Sequence, residues 1–228
     1  AAIAAENMFA ETAFLLRDAS GEADWELRWF APACEIRLCG HATLASGHVM
    51  LGRDGGERVT FRTRKAGVLE VRRDGEHYAL ALPAIPVEPF AWPEAVAALG
   101  GPPPQRVWRN PDGYNVFLYA DAAEVAALAP DFAALAAFDD HQFICTAPGA
   151  ETDVVSRVFV PSAGVDEDPV TGSAHAVMVP YWAERLGRSS FTAYQASKRG
   201  GHLDCRLEDD RVILGGRCVT VIEGVLRF

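Results

Sequence analysis

Two periodicities divide the chain. Alternating apolar and polar residues, typical of half-buried β-strands, predict strands at 11–16, 25–30, 115–119, 142–146 and 157–161, with further strands through Leu82 and to Phe228. The period changes to that of a helix in "GHATLASGHVML" from Gly40 and in "GSAHAVMVPYWAERLG" from Gly172. Two shorter helices are predicted at 94–99 and 122–128. This mixture of strands and helices predicts an α+β fold.

The same order of motifs occurs twice. "RWFAP" at 28–32 returns as "RVFVP" at 157–161, and a helix rich in small residues follows each copy. "GVLEVRRDGEHYAL" at 67–80 then aligns without gaps with "GHLDCRLEDDRVIL" at 201–214. Because three blocks recur in the same order and at similar spacing, we predict a duplicated unit and two pseudo-symmetric halves.

Small residues in the two main helices indicate how each half is packed. Ala, Gly and Ser allow a sheet to approach a helix closely, so each half is predicted to be a barrel-like curved β-sheet wrapped around a central helix. The proline-rich "PAIPVEPFAWP" at 83–93 marks the boundary. We expect an N-terminal half at 1–88 and a C-terminal half at 89–228, with the last strand crossing back to the first half. Residues are expected to be missing before Ala1, because the chain begins within an apolar pattern and without Met.

Charge and cysteine usage exclude several classes of partner. The net charge is −10 and the sequence pI is about 5.0, which disfavours binding to nucleic acid or to an anionic membrane. The five cysteines are scattered and show no CxxC spacing, as expected of a reduced cytoplasmic protein with neither a disulfide framework nor a zinc site. No apolar run reaches the roughly 18 residues of a membrane span.

The densest polar cluster is "EDPVTGSAH" at 167–175, where the second main helix begins. Asp168 or Thr171 is expected to cap this helix through its side-chain oxygen. If the halves are related by a pseudo-twofold axis, the two helix starts meet at the interface between the halves. Gly40 and His41 then lie opposite Gly172 and Ser173, and the free amides of both helices form a pocket for an anionic substrate.

A carboxylate held by two helix starts is suited to proton transfer at its neighbouring carbon, because the amides stabilise the negative charge that develops. Several residues remain candidates for the base. Cys39 lies at the first helix start, but its counterpart in the repeat is Thr171, so a racemase with two thiols is incomplete. Glu11 in "AETAFLL" is a candidate for general acid and base work, or an exposed strand residue. Asp168 is either a cap or a proton relay.

The sequence lacks the motifs that are typical of several other reaction classes. No GxSxG turn is present for a serine hydrolase, and no GxGxxG fingerprint indicates a dinucleotide. His41 and His48 are separated by about 10 Å along a helix axis, too far to share a metal ion. The sequence motifs therefore indicate neither a dinucleotide nor a metal site.

Three segments carry a family resemblance: "ENMFAETAFLL", "LRWFAPACEIRLCGHATLASGHVML" and "SRVFVPSAGVDEDPVTGSAHAVMVPYWAERLG". They resemble the phenazine-biosynthesis PhzF-like family, whose fold is related to that of diaminopimelate epimerase and proline racemase. The resemblance spans nearly the whole chain and implies a diaminopimelate epimerase-like fold, a cofactor-free isomerase and a homodimer. In the phenazine enzyme a glutamate moves a proton within a dihydro-hydroxyanthranilate ring, and the matching residue here is Glu11. The resemblance also implies pocket roles for His41, Asp168 and Ser173. The chain lacks the family's first strand and its Gly-Asn-Pro loop.

The predicted function is a cofactor-independent isomerase that moves a proton on a small cyclic or aromatic-like carboxylate. Glu11, His41, Asp168 and Ser173 are the predicted catalytic residues. The predicted substrate-binding residues are Gly40, His41, Thr171, Gly172 and Ser173. Two alternatives remain: a Cys39-dependent racemase or epimerase, and a non-catalytic protein that binds small carboxylates or serves as a scaffold.

Overall fold

The computed structural model describes residues 2–9, 11–32 and 34–226. The helices are α1 (Ala2–Asn7), α2 (Gly40–Asp54), α3 (Pro93–Leu99), α4 (Ala122–Ala126), α5 (Phe132–Ala136) and α6 (Gly172–Leu186). The strands are β1 (Thr12–Arg17), β2 (Trp25–Phe30), β3 (Glu35–Ile36), β4 (Arg58–Arg62), β5 (Val68–Asp74), β6 (His77–Pro83), β7 (Glu88–Pro89), β8 (Arg106–Arg109), β9 (Tyr114–Leu118), β10 (Gln142–Pro148), β11 (Val154–Val160), β12 (Val165–Glu167), β13 (Ser190–Gln195), β14 (Gly201–Glu208) and β15 (Arg211–Gly216).

The fifteen strands form one continuous sheet that contains the same topology twice. In the order β1-β2-β4-β5-β6, only the β2–β4 pair is parallel. In the order β10-β11-β13-β14-β15, only the β11–β13 pair is parallel. A main helix connects each parallel pair, α2 in the first repeat (residues 12–83) and α6 in the second repeat (residues 142–216). The structure thus confirms the predicted duplication and the α+β class.

The two repeats join along β6 and β15, and the register of this pair locates the pseudo-twofold axis. Leu80 and Leu214 occupy the same position in the two repeats, and they are partners across the antiparallel β6–β15 pair. Both side chains are buried. Gly40 and Gly172, which begin the two helices, also meet each other: a Cβ atom on either glycine would lie 2.8 Å from the Cα atom of the other. The axis therefore passes through both contacts.

A matched ion pair stabilises the backbone just before each helix start. In the first repeat the Arg28 guanidinium on β2 donates two hydrogen bonds of 2.8 Å to Glu35 on β3. In the second repeat Arg157 on β11 donates bonds of 2.7 and 3.0 Å to Glu167 on β12. Such bidentate pairs restrict geometry as well as adding energy. They link each RxFxP strand to the segment that leads into the helix.

Small residues bring the sheets onto the helices, as predicted. α2 packs on β4, β5 and β6, and a Cβ atom on Gly47 would lie only 2.4 Å from Val71 Cγ1. α6 packs on β14 and β15, and ten of its residues are buried. One core contains side chains from both main helices. A second core lies on the opposite face of β9, β10 and β11, beneath the short helices α3, α4 and α5.

The end of the chain differs from the sequence prediction. Strands were expected to continue to Phe228, but β15 ends at Gly216 and residues 217–226 have no regular secondary structure. Val219, Val221 and Ile222 are more than four-fifths exposed. Their apolar pattern resembles a strand, but a strand also needs a neighbour that pairs with its backbone, and in the described part of the chain this segment is assigned to no strand pair. No helix in that part combines the length and apolar character needed to cross a membrane.

Candidate active site

A pocket of about 390 Å³ lies where the two repeats meet. It is lined by every residue that the sequence predicted for the site, from Glu11 and the start of α2 in the first repeat to Asp168 and the start of α6 in the second. The predicted binding residues Gly40, His41, Thr171, Gly172 and Ser173 are all part of its wall. The fold thus brings together residues that are more than 150 positions apart along the chain.

Neither main helix is capped by a side chain at this pocket. The N-cap residues are Cys39 and Thr171, and no side-chain oxygen of either accepts a bond from the first turn. The expectation that Asp168 or Thr171 would cap α6 is therefore wrong. The Thr171 hydroxyl instead donates a hydrogen bond to Asp168 Oδ2. A carboxylate accepts such a bond more strongly than a neutral oxygen does. The first turns of both helices, at the pocket wall and without a side-chain cap, are therefore suited to an anionic ligand.

A fully buried glutamine stabilises this alternative arrangement. Gln195 Oε1 accepts a 2.7 Å bond from the Thr171 amide, and Gln195 Nε2 donates a 2.6 Å bond to the Asp168 carbonyl. His175, the last residue of the polar cluster, also has a structural position. Its Nδ1 lies 2.8 Å from the Thr171 carbonyl oxygen, and burial lowers the pKa of His175 to about 4. The ring is neutral near pH 7 and lies outside the pocket wall.

Glu11 and His41 are in direct contact. His41 Nε2 lies 2.9 Å from Glu11 Oε2, and the two side chains are 33% and 15% exposed. Burial acts to lower the pKa of His41, but the Glu11 carboxylate and, where it is ionised, the Cys39 sulfur act to raise this pKa and prevail. His41 is therefore an imidazolium near neutral pH, paired with a carboxylate. The two groups form an acid and a base in one contact.

Cys39 lies beside this pair. Its Sγ is 3.9 Å from both ring nitrogens of His41. The sulfur is buried, and burial raises the pKa of the Cys39 thiol. Near neutral pH the thiol is protonated and a poor base.

Asp168 is the second carboxyl group of the pocket. It is 8% exposed, and burial raises its pKa to about 6, although the hydrogen bond from Thr171 and the charge of His41 both act to lower it. A carboxyl group with this pKa exchanges a proton readily near neutral pH. This arrangement is suited to a proton relay.

The repeat also identifies a residue that the sequence analysis missed. Phe14 faces Arg28 across β1 and β2, and Cys145 faces Arg157 across β10 and β11. Three positions before each of these strand residues are Glu11 and Gln142. Gln142 is therefore the counterpart of Glu11, and it also lines the pocket. An ungapped extension of the repeat alignment upstream of the two RxFxP strands pairs Glu11 with Asp140 instead, so the strand registers were needed to find it.

The two sides of the pocket thus have the same geometry and different chemistry. His41 and Ser173 are counterparts at the second position of each helix, and Gln142 lies 3.4 to 3.5 Å from the Ser173 hydroxyl. The first side carries Glu11 and His41, which ionise. At the positions equivalent to Glu11 and His41, the second side carries an amide and a hydroxyl, which do not ionise. Lys65 adds a cation to the wall.

Comparisons with known proteins agree with this architecture. The family model for phenazine biosynthesis-like proteins matches residues 1–99 and 103–224. An uncharacterized isomerase of Pseudomonas aeruginosa is 48% identical over 229 residues, covering 99% of this chain and 85% of that protein. The PhzF family protein of Enterococcus faecalis is 42% identical, and its crystal structure superposes with a TM-score of 0.84 over 95% of this chain and 82% of that chain.

A more distant structure shares the fold alone. The crystal structure of a probable proline racemase from Agrobacterium radiobacter superposes with a TM-score of 0.60 over 91% of this chain and 73% of that chain, at 11% identity. The predicted relation to the racemase and epimerase folds is thereby confirmed. Because the family model covers nearly the whole chain, the protein belongs to the phenazine biosynthesis-like, or PhzF, family.

Proposed function

We propose that the protein is a cofactor-independent isomerase that moves a proton on a small cyclic or aromatic-like carboxylate. The contact that carries this proposal is the 2.9 Å approach of Glu11 to His41, beside two helix starts without side-chain caps. An isomerase is also the activity named for the Pseudomonas aeruginosa relative. The remaining steps follow from the chemistry of the pocket residues.

The carboxylate of the substrate binds at the two helix starts. The first turns of α2 and α6 form part of the pocket wall, so the positive ends of both helix dipoles lie at the pocket and favour an anion. The Ser173 hydroxyl adds a donor, and Lys65 adds positive charge. The Gly40–Gly172 contact brings the two sets of amides close enough to act on one ligand.

Glu11 removes a proton from the carbon next to the bound carboxylate or conjugated with it. The electron pair of the broken C–H bond moves into the carboxylate, and the helix amides stabilise the added charge. The proton returns to a different carbon, either from Glu11 or through His41 and Asp168. No proton or electron is gained or lost overall, so the product is an isomer of the substrate.

Gln142 and Ser173 orient the ring. Gln142 and Ser173 supply an amide and a hydroxyl at the place where the opposite side has its acid and base. These groups are suited to a hydroxyl, amino or carbonyl substituent. A volume of about 390 Å³ is at the small end of ligand pockets and suits a molecule with a single ring.

The test is exchange of carbon-bound hydrogen with solvent. The protein is incubated in D2O with a panel of cyclic and aromatic carboxylates, and deuterium incorporation is followed by NMR. Glu11→Gln keeps the size of the side chain and removes the base, so exchange and isomerisation should fall by about 100-fold or more. Glu88→Gln, at an exposed glutamate on β7, is the matched control and should keep the parent rate.

Other outcomes would favour the alternatives. If Glu11→Gln exchanges at the parent rate while Cys39→Ser is inactive, the base is the thiol and the protein is a racemase or epimerase. If carboxylates raise the melting temperature but take up no deuterium, the protein binds small carboxylates without catalysis. The buried and protonated Cys39 thiol, whose counterpart is Thr171, disfavours the first alternative.

A further inference from the structure

The acid, base and thiol of the first repeat form a compact group of metal-ligand atoms. One ligand atom each from Glu11, Cys39 and His41 lies within 4.8 Å of the others. The closest pair is His41 Nε2 and Glu11 Oε2 at 2.9 Å, and Cys39 Sγ lies 3.9 Å from the ring nitrogens. The three residues come from the start of β1 and the start of α2, so spacing along the sequence gave no sign of this group.

The distances suit a zinc ion. In a tetrahedral site with Zn–S and Zn–N or Zn–O bonds of about 2.0 to 2.3 Å, neighbouring ligand atoms lie about 3.3 to 3.7 Å apart. The His41–Glu11 and Cys39–His41 separations of 2.9 and 3.9 Å lie within about 0.4 Å of these values, and the Cys39–Glu11 separation is at most 4.8 Å, so side-chain rotation can bring the three atoms around one ion. Sulfur, imidazole nitrogen and carboxylate oxygen are all zinc ligands, whereas Mg²⁺ and Ca²⁺ prefer sites made only of oxygen.

One of these atoms also lacks a well-directed hydrogen bond. Glu11 Oε2 is sealed from solvent, and its contact with His41 is short but not aligned as a hydrogen bond; no other partner occurs among the described residues. A buried carboxylate oxygen without an aligned hydrogen-bond donor lowers the free energy of unfolding. A cation placed between Glu11, Cys39 and His41 would satisfy it.

We propose that Zn²⁺ binds to Glu11, Cys39 and His41, with the fourth coordination position open to the pocket, and thereby reversibly inhibits the protein. On binding, the Cys39 thiol proton and the proton on His41 Nε2 are released to solvent, and the thiolate, imidazole and carboxylate bond to the metal. No oxidation or reduction takes place. The inhibition rests on the proposed function, because zinc would bond to the Glu11 carboxylate that serves as the base. Zinc binding itself does not depend on the proposed function.

Metal binding is tested directly, without a substrate. Zinc is titrated into the protein in competition with a chromogenic chelator, and Co²⁺ is used as a spectroscopic substitute. We expect one ion per chain and a thiolate-to-cobalt charge-transfer band. Cys39→Ala should abolish the band and weaken zinc binding by at least about 10-fold. Loss of a side chain that only hydrogen-bonds to a metal ligand already weakens metal binding by this factor, and Cys39 would be a ligand itself. Glu11→Gln should keep the band and weaken zinc binding.

Cys34→Ser is the matched control because Cys34 is an exposed thiol in the same pocket wall. It should leave both the band and the zinc affinity unchanged. Thermal unfolding of each variant without metal shows whether it is folded. The inference is overturned if folded Cys39→Ala keeps the cobalt band, if Cys34→Ser loses it, or if Mg²⁺ competes as well as Zn²⁺.

The two proposals can fail separately. If zinc binds as described but Glu11→Gln isomerises at the parent rate, the metal site stands and the proposed base is wrong. If Glu11→Gln is inactive but no zinc binds, the base stands and the metal site is wrong. If both proposals hold, zinc should stop deuterium exchange in the parent protein, and a chelator should restore it.

Discussion

The contact between Gly40 and Gly172 leads to a prediction of opposite effects for two alanine substitutions in the same helix. In Gly40→Ala the new methyl carbon would lie 2.8 Å from the Cα atom of Gly172 and 3.5 Å from its nitrogen. Both neighbours are backbone atoms at the start of α6, so no side chain can rotate away. Ordinary van der Waals contact begins at about 3.4 Å. The two helix starts must therefore separate by about 0.6 Å, or the backbone must bend.

The magnitude follows from overpacking. Extra methyl groups in a well-packed interior cost about 1 to 3 kcal/mol. For a domain of this size each kcal/mol lowers the melting temperature by about 2 to 4 °C, so Gly40→Ala should lower it by about 2 to 12 °C. The functional loss should be larger, because a displacement of about 1 Å in a catalytic site reduces the rate by up to about 100-fold.

Gly52→Ala is the matched control. Gly52 lies in the same helix and is exposed, and a Cβ atom there would meet nothing within 4 Å. Alanine in a helix is favoured over glycine by about 0.5 to 1 kcal/mol, so this variant should be slightly more stable than the parent and equally active. Thermal unfolding and deuterium exchange on one carboxylate substrate measure both effects. The close contact would be refuted by a Gly40→Ala variant as stable and as active as Gly52→Ala.

Three further predictions concern single side chains of the pocket. Because the pKa of Asp168 rises from 3.8 to about 6 on folding, the folded state holds a proton that the unfolded state releases, and stability should fall as the pH rises through this window, by on the order of 3 kcal/mol. Urea unfolding between about pH 4 and 7 should show this loss in the parent and not in Asp168→Asn; parallel profiles would contradict it. Gln142→Ala should raise KM by about 2- to 10-fold, the equivalent of one neutral hydrogen bond, with kcat close to the parent value, whereas the exposed Gln105→Ala should change neither. Ser173→Ala should weaken carboxylate binding by about 0.5 to 3 kcal/mol by calorimetry, and an unchanged affinity, equal to that of the exposed control Ser190→Ala, would exclude a direct bond.

The sequence by itself determined the repeated architecture and the two helices that begin at the pocket. The RxFxP strands, the helices from Gly40 and Gly172 and the paired hairpins are local patterns, since alternation and helical period depend on residues a few positions apart. Their order also predicted that the helix starts would meet. Glu11 was singled out through a family resemblance, because strand alternation alone does not distinguish a buried carboxylate from an exposed one.

Hydrogen bonds to Gln195 decided whether the side chains of the polar cluster at 167–175 cap α6. From the sequence, Thr171 or Asp168 had an equal chance to cap α6, because both have side-chain oxygens of the right length. In the folded chain, Gln195 on β13 accepts the Thr171 amide hydrogen and donates a 3.0 Å bond to the Thr171 hydroxyl oxygen, while that hydroxyl donates to Asp168. Gln195 is more than twenty positions away, so the outcome depends on strand pairing and not on local spacing.

Only the tertiary structure revealed how the two sides of the pocket differ. The registers of the β1–β2 and β10–β11 pairs place Glu11 and Gln142 at equivalent positions, and the close approach of α2 brings His41 and Cys39 to Glu11. A shift of one residue in either register would turn these side chains to the other face of the sheet. The residue types were therefore visible in the sequence, but strand register, which long-range packing sets, places Glu11 and His41 on one side of the pocket and Gln142 and Ser173 at the equivalent positions of the other.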